Sequence, residues 1–99
     1  MKETMQSIID WQNETFGPSR NHMRTVTRAN EEMAELLTAV SLGNLYKVGE
    51  EIADIFLVLC GIAGPLNINI FDEIDAKMAV NRERKWTITD EGHGYHVKD

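Results

Sequence analysis

Apolar residues recur along this chain at the spacing of helices, broken at Gly17-Pro18, Gly43-Asn44, Gly64-Pro65 and the glycines at 92 and 94. Four helical segments are expected. In the first, Met5, Ile8, Ile9, Gln12 and Phe16 follow a helical period with Trp11 beside them, and Gly17-Pro18 ends the run. The second is expected over about 21 to 42, with Val26, Ala29, Met33, Leu36, Leu37 and Val40 as one apolar stripe. Glu31 and Glu35 fall off that stripe, and Glu32 lies at its edge. The third, about 45 to 63, changes after Asp54, where "IFLVLCGIA" is apolar on every side. A helix tolerates that only when covered all round, and a chain of 99 residues offers too little cover of its own. A second subunit is expected to supply the rest. The fourth segment is expected from Asn69, a good N-cap with Asp72 in the first turn to suit the helix dipole, as far as Trp86. The tail "TITDEGHGYHVKD" is polar and leaves a small hairpin, a lid or disorder open. The pattern is that of a single all-α domain, a four-helix bundle completed by oligomerisation, with its core over about 5–86.

Composition narrows the function. At 42% hydrophobic and 26% charged, 99 residues make one ordinary globular domain with no room for a second. The net charge of -6 argues against a nucleic-acid polymer or an anionic membrane as partner, because both require a positive field. Cys60 is the only cysteine, which excludes an intrachain disulfide and a cysteine-rich zinc site; its apolar setting predicts a buried, inert thiol. The uncharged stretch from 55 to 71 is broken by Gly61 and Gly64-Pro65 and falls short of the roughly 20 apolar residues of a spanning helix. The start "MKETMQSIIDWQ" lacks a secretory apolar run, so a cytoplasmic location is expected.

The acidic residues carry the chemistry. Glu32 and Glu35 are three apart, as are Glu51 and Asp54, and residues three apart on a helix face the same neighbour. If the second and third helices form an antiparallel hairpin turning near Gly43, Glu35 stands level with Glu51 and Glu32 with Asp54. Both pairs then lie roughly 12 to 17 Å from the turn. Carboxylates that converge repel by around 4 kcal/mol per pair at about 4 Å and an effective dielectric near 20. All-oxygen donors suit a hard divalent cation: magnesium first, with manganese as a substitute. The absence of histidine at these positions weighs against zinc and against a di-iron bundle. The opposing view is a solvated acidic face with Arg28 pairing Glu31 or Glu32. On the fourth helix Lys77, Asn81 and Arg84 follow i, i+4, i+7 spacing, a polar stripe able to hold phosphate oxygens.

These residues match a known pattern. Glu31-Glu32-x-x-Glu35, fifteen residues, then Glu51-x-x-Asp54 resembles the E-E-x-x-E and E-x-x-D signature of MazG-like, all-α nucleoside triphosphate pyrophosphohydrolases, and "KMAVNRERKW" resembles that family's Lys-x-x-x-Asn-x-x-Arg-x-Trp element. The resemblance covers about 24 to 86. It implies magnesium-dependent hydrolysis of a nucleoside or deoxynucleoside triphosphate between the α and β phosphates, giving the monophosphate and pyrophosphate. It further implies Glu32, Glu35, Glu51 and Asp54 as metal ligands, Lys77, Asn81 and Arg84 as phosphate ligands, and a homodimer or homotetramer. Glu31 or Glu35 is the candidate to accept the proton of the attacking water. Trp11 and Phe16 are candidates to stack on the base, against a simple core-packing role. The rival readings are phosphoribosyl-ATP pyrophosphohydrolase, of the same architecture, and a non-catalytic helical dimer that binds a partner protein. His22, His93 and His96 are too scattered to form a site.

Overall fold

A computed structural model describes residues 2–89 and 91–97, except for the side chain of Tyr95. The helices are α1 (Met5–Phe16), α2 (His22–Ser41), α3 (Leu45–Ala63) and α4 (Ile70–Glu83), followed by a hairpin of β1 (Lys85–Ile88) and β2 (Gly94–Val97). The chain divides into two compact units, one ending at Asn69 and one beginning at Ile70.

In the first unit each helix start is capped by the residue the sequence puts there. Thr4 and Ser7 exchange side-chain and backbone hydrogen bonds in a capping box, at 3.0 and 2.8 Å. Asn21 and Asn44 each accept the N–H three residues on, at 3.1 Å. The turn between α2 and α3 closes as a Schellman motif: Gly43 N–H donates to Val40 O and Asn44 N–H to Ala39 O, with Gly43 at φ 67°. That short turn makes α2 and α3 an antiparallel pair. Against α3, α1 is fixed by Gln12, whose Nε2 donates to Leu57 O at 2.8 Å, and by the approach of Ile9 to Gly64. A Cβ at Gly64 would lie only 3.1 Å from the Ile9 side chain.

Packing corrects the expected face of α2. The shielded positions are His22, Thr25, Ala29, Glu32, Leu36 and Ala39, whereas Val26, Met33, Leu37 and Val40 are exposed in this chain. Small residues at 25, 29 and 39 let the helix backbones approach, and turning that side inward carries Glu32 toward α3. On α3 itself Ile52, Leu57 and Leu59 keep substantial exposure, while Cys60 and Ala63 are buried. Burial pushes the Cys60 thiol above its ordinary range, in keeping with an inert core cysteine.

In the second unit α4 stops earlier than expected, at Glu83 rather than Trp86. Arg84 N–H donates to Val80 O and Asn81 O, and the indole of Trp86 donates to Asn81 O at 2.9 Å. Those bonds occupy the last carbonyls and turn the chain out of the helix. Lys85 to Ile88, rich in aromatic and β-branched residues, then pairs antiparallel with Gly94 to Val97, with Trp86 opposite His96. The tail is therefore a hairpin over most of its length; positions 90, 98 and 99 lie outside the described residues.

A Cβ at Gly43 would meet nothing within 4 Å, so only its left-handed backbone resists substitution. Gly43→Ala is expected to cost about 1 kcal/mol in urea denaturation. An unchanged midpoint would show that the α2–α3 turn does not depend on this conformation.

Candidate metal centre

The packed side of α2 and the start of α3 bring Glu32, Glu35 and Glu51 together, each offering an oxygen within 4.8 Å of the others. Glu51 is only 1% exposed, Glu32 is half-buried and Glu35 is exposed. One oxygen of Glu51, Oε1, lies 3.2 Å from Lys47 Nζ. The other, Oε2, is buried with no hydrogen-bond partner among the described residues. A buried carboxylate oxygen without a donor is costly, and a cation is the partner its chemistry calls for. The donor set, oxygen throughout, fits a hard divalent ion.

Asp54 stands one turn beyond Glu51 and is not within that trio. It is exposed and lines a cleft of about 420 Å³ together with Trp11, Gln12, Phe16, Thr25 and Arg28. Trp11 and Phe16 are 56% and 76% exposed and meet edge to face, with ring centroids 5.6 Å apart. In this chain both rings line an open cleft whose other residues include a carboxylate of the predicted ligand set. Arg28 lines the same cleft, and no ion pair joins it to Glu31 or Glu32 among the described residues. Glu31 is exposed beside the trio, and Glu50 pairs with Lys47 at 3.5 Å.

In the second unit Lys77 and Asn81 lie on α4, and Arg84 lies just past its end. Among the described residues Asn81 Oδ1 is buried without a partner, and its Nδ2 meets the Met78 sulfur at 3.9 Å. The residue that sequence reasoning missed is Lys47. Its signal was present: a lysine four residues before Glu51, in the first turn of a helix, where the dipole disfavours a cation.

Glu32 and Glu51 are shifted in opposite directions. Burial, the hydrogen bond with Glu51 and the charge of Glu35 push Glu32 up to about 7. Burial acts the same way on Glu51 but is outweighed by the Lys47 ammonium and by hydrogen bonds with Glu32 and Glu35, which hold it below the usual carboxylate range. Without a cation the cluster thus keeps a proton, on Glu32, until the pH nears 7.

Known proteins resemble the chain throughout its length, although no protein-family model matches it. A dATP/dGTP diphosphohydrolase of Salmonella phage PMBT28 is 32% identical over 97 residues, covering 98% of this chain. The chain spans only 31% of that protein's length. A dATP/dGTP diphosphohydrolase of cyanophage S-2L is 29% identical over 82 residues, covering 83% of this chain and 74% of the relative. Among solved structures, the cyanophage S-2L MazG-like pyrophosphohydrolase, bound to dGDP and three catalytic Mn2+ ions per active site, superposes with a TM-score of 0.77 at 25% identity, covering 100% of this chain and 98% of its own. The chain belongs to the MazG-like family. Its four helices are those expected of a MazG-like fold, and the acidic trio is the feature of this MazG-like chain suited to a divalent metal.

A proton on Glu32 competes with a cation for the same oxygens. Binding of Mn2+ should therefore strengthen from about pH 5.5 to 7, releasing about one proton at the low end, and level off above. The sign for folding is opposite. The folded pKa of about 7 exceeds the ordinary 4.5, so in metal-free protein Glu32's contribution to stability falls as the pH rises through that window. Calorimetric titration in two buffers of different ionisation enthalpy reads the proton directly. Affinity independent of pH across the window would show that Glu32 holds no proton there.

Proposed function

We propose that the chain is a divalent-metal-dependent nucleotide pyrophosphohydrolase, cleaving deoxynucleoside triphosphates between the α and β phosphates to the monophosphate and pyrophosphate. The observation that carries this reading is the convergence of Glu32, Glu35 and Glu51 around a buried, unpartnered carboxylate oxygen. The names of the two phage relatives favour dATP and dGTP as the first substrates to try. The setting proposed is the cytoplasm, where such nucleotides are made and used.

Glu32, Glu35, Glu51 and Asp54 are the proposed metal ligands, with Mg2+ or Mn2+ as the ion. A cation there would neutralise polyphosphate charge and make a bound water more acidic. Glu35, exposed at the edge of the cluster, and Glu31 beside it are the groups available to accept a proton from that water. Trp11 and Phe16 offer ring faces to a base at the cleft that also holds Asp54. Lys77, Asn81 and Arg84 are proposed to hold phosphate oxygens, as point charge, amide and fork respectively. Asn81 can donate to phosphate only through Nδ2, whose contact with the Met78 sulfur at 3.9 Å is weak enough to give way to a phosphate oxygen.

Homodimer or homotetramer assembly belongs to the same proposal. Val26, Met33, Leu37 and Val40 on α2 and Ile52 and Leu59 on α3 leave large apolar side chains exposed, a burden that a partner copy would relieve.

Incubation with Mg2+ or Mn2+ and each nucleoside and deoxynucleoside triphosphate, with products separated by chromatography, should yield monophosphate and pyrophosphate. Glu35→Gln and Asp54→Asn should each lower turnover by about two orders of magnitude or more, the scale of a lost charge-stabilising contact. Release of orthophosphate instead, or no turnover by folded, metal-binding protein, would overturn the reaction assigned. Light scattering during size exclusion should give a mass at least double the 11.3 kDa of the chain, and Leu37→Glu should reduce it. A monomeric wild type would remove the oligomer from the proposal.

A further inference from the structure

Lys47 sits where helix chemistry would not put a cation. Its backbone N–H is held by the Asn44 cap at 3.1 Å in the first turn of α3, the positive end of the dipole, and that turn contains no acidic residue. Its order relative to Glu51, lysine first and glutamate four residues later, is the weaker of the two orientations for a helical pair. The dipole opposes this lysine, and its intrahelical pairs at i+3 and i+4 favour it only weakly, so a further reason is needed. Glu51 supplies one: it is buried, faces two other carboxylates, and has Lys47 as its one ion-pair partner among the described residues.

We infer that Lys47 is the counter-charge of the metal-free site, holding Glu51 through Oε1 until a divalent cation takes over that carboxylate, and then yielding. Three features fit this role. The ammonium grips one oxygen of Glu51 and leaves the other free for the cluster. The Lys47 side chain is 52% exposed, so its long stem can return the charge to water at little cost. Glu50, 3.5 Å from the same ammonium and 45% exposed, gives it a second carboxylate to rest on when it leaves Glu51. Lys47 is thus a positioning residue that lets an acidic site fold before its metal arrives, at the expense of opposing the incoming cation.

The inference rests on the acidic cluster being a divalent-cation site, and the test separates the two. Thermal unfolding and Mn2+ titration are run on wild type, Lys47→Met and Lys47→Arg. Expected is a Tm several degrees lower for Lys47→Met without metal, a gap that closes in saturating Mn2+, and several-fold tighter Mn2+ binding by Lys47→Met, most visible at low salt. Lys47→Arg should follow wild type. A Tm deficit equal with and without Mn2+, or weaker Mn2+ binding by Lys47→Met, would overturn the counter-charge role alone. A wild type that Mn2+ neither binds nor stabilises would overturn the metal reading and this inference with it. Should Lys47→Met fail to fold, the background Glu51→Gln decides: there the loss of Lys47 should cost the metal-free protein nothing, and an undiminished cost would overturn the assignment.

Discussion

Glu51 is a carboxylate taken almost completely out of water and set against two others, and the energetics of the first unit are organised around making that tolerable. Removal from water disfavours its charge, whereas the Lys47 ammonium and hydrogen bonds with Glu32 and Glu35 favour it. The molecule answers in two ways: Lys47 supplies a positive charge to one oxygen, and Glu32 takes up a proton. Neither answer brings a positive charge to the second oxygen of Glu51. A divalent cation would address all three carboxyls together, which is why an arrangement so poor as a purely structural feature is good as a metal centre.

That arrangement depends on the α2–α3 hairpin. The Schellman closure at Gly43 fixes how far each helix starts from the turn, and the rise of the helix then fixes which acids are level. Small side chains at Thr25, Ala29 and Ala39 let the two backbones approach, so that Glu32 faces α3. The consequence for the remainder of α2 is that its bulkier apolar residues face outward. The same hairpin therefore creates both the polar centre and an apolar surface on its outer side.

Beside the carboxylates the first unit builds a cleft whose character changes along its wall. Exposed aromatic rings from α1 lie in it, as do Arg28 from α2 and Asp54 from α3. A nucleotide has the same composition, with a flat apolar base and a polyanion that needs cations. The Gln12 bond to Leu57 O keeps α1 seated against α3, so the aromatic wall and Asp54 are carried on one packed body.

Much of this was legible in the sequence. The four helices follow from apolar periodicity and from caps at Asn21, Asn44 and Gly43, because those signals are local and each acts within a few residues. The acidic spacing on α2 and α3 likewise announced a cluster, since helix geometry converts sequence separation directly into height. What periodicity left undetermined was rotation about the helix axis. On α2 two faces compete, a bulky apolar one and a small-residue one bearing Glu32, and only packing against α3 decides which turns inward. That rotation makes the trio Glu32, Glu35 and Glu51 and leaves Asp54 on the cleft wall, where the sequence had suggested two level pairs. The end of α4 was decided the same way, by the Trp86 indole bonding back to Asn81 and by a strand partner drawn from the tail. Burial of Glu51, and hence the meaning of Lys47, lay beyond the sequence because the removal of water from a side chain is the joint work of residues distant along the chain.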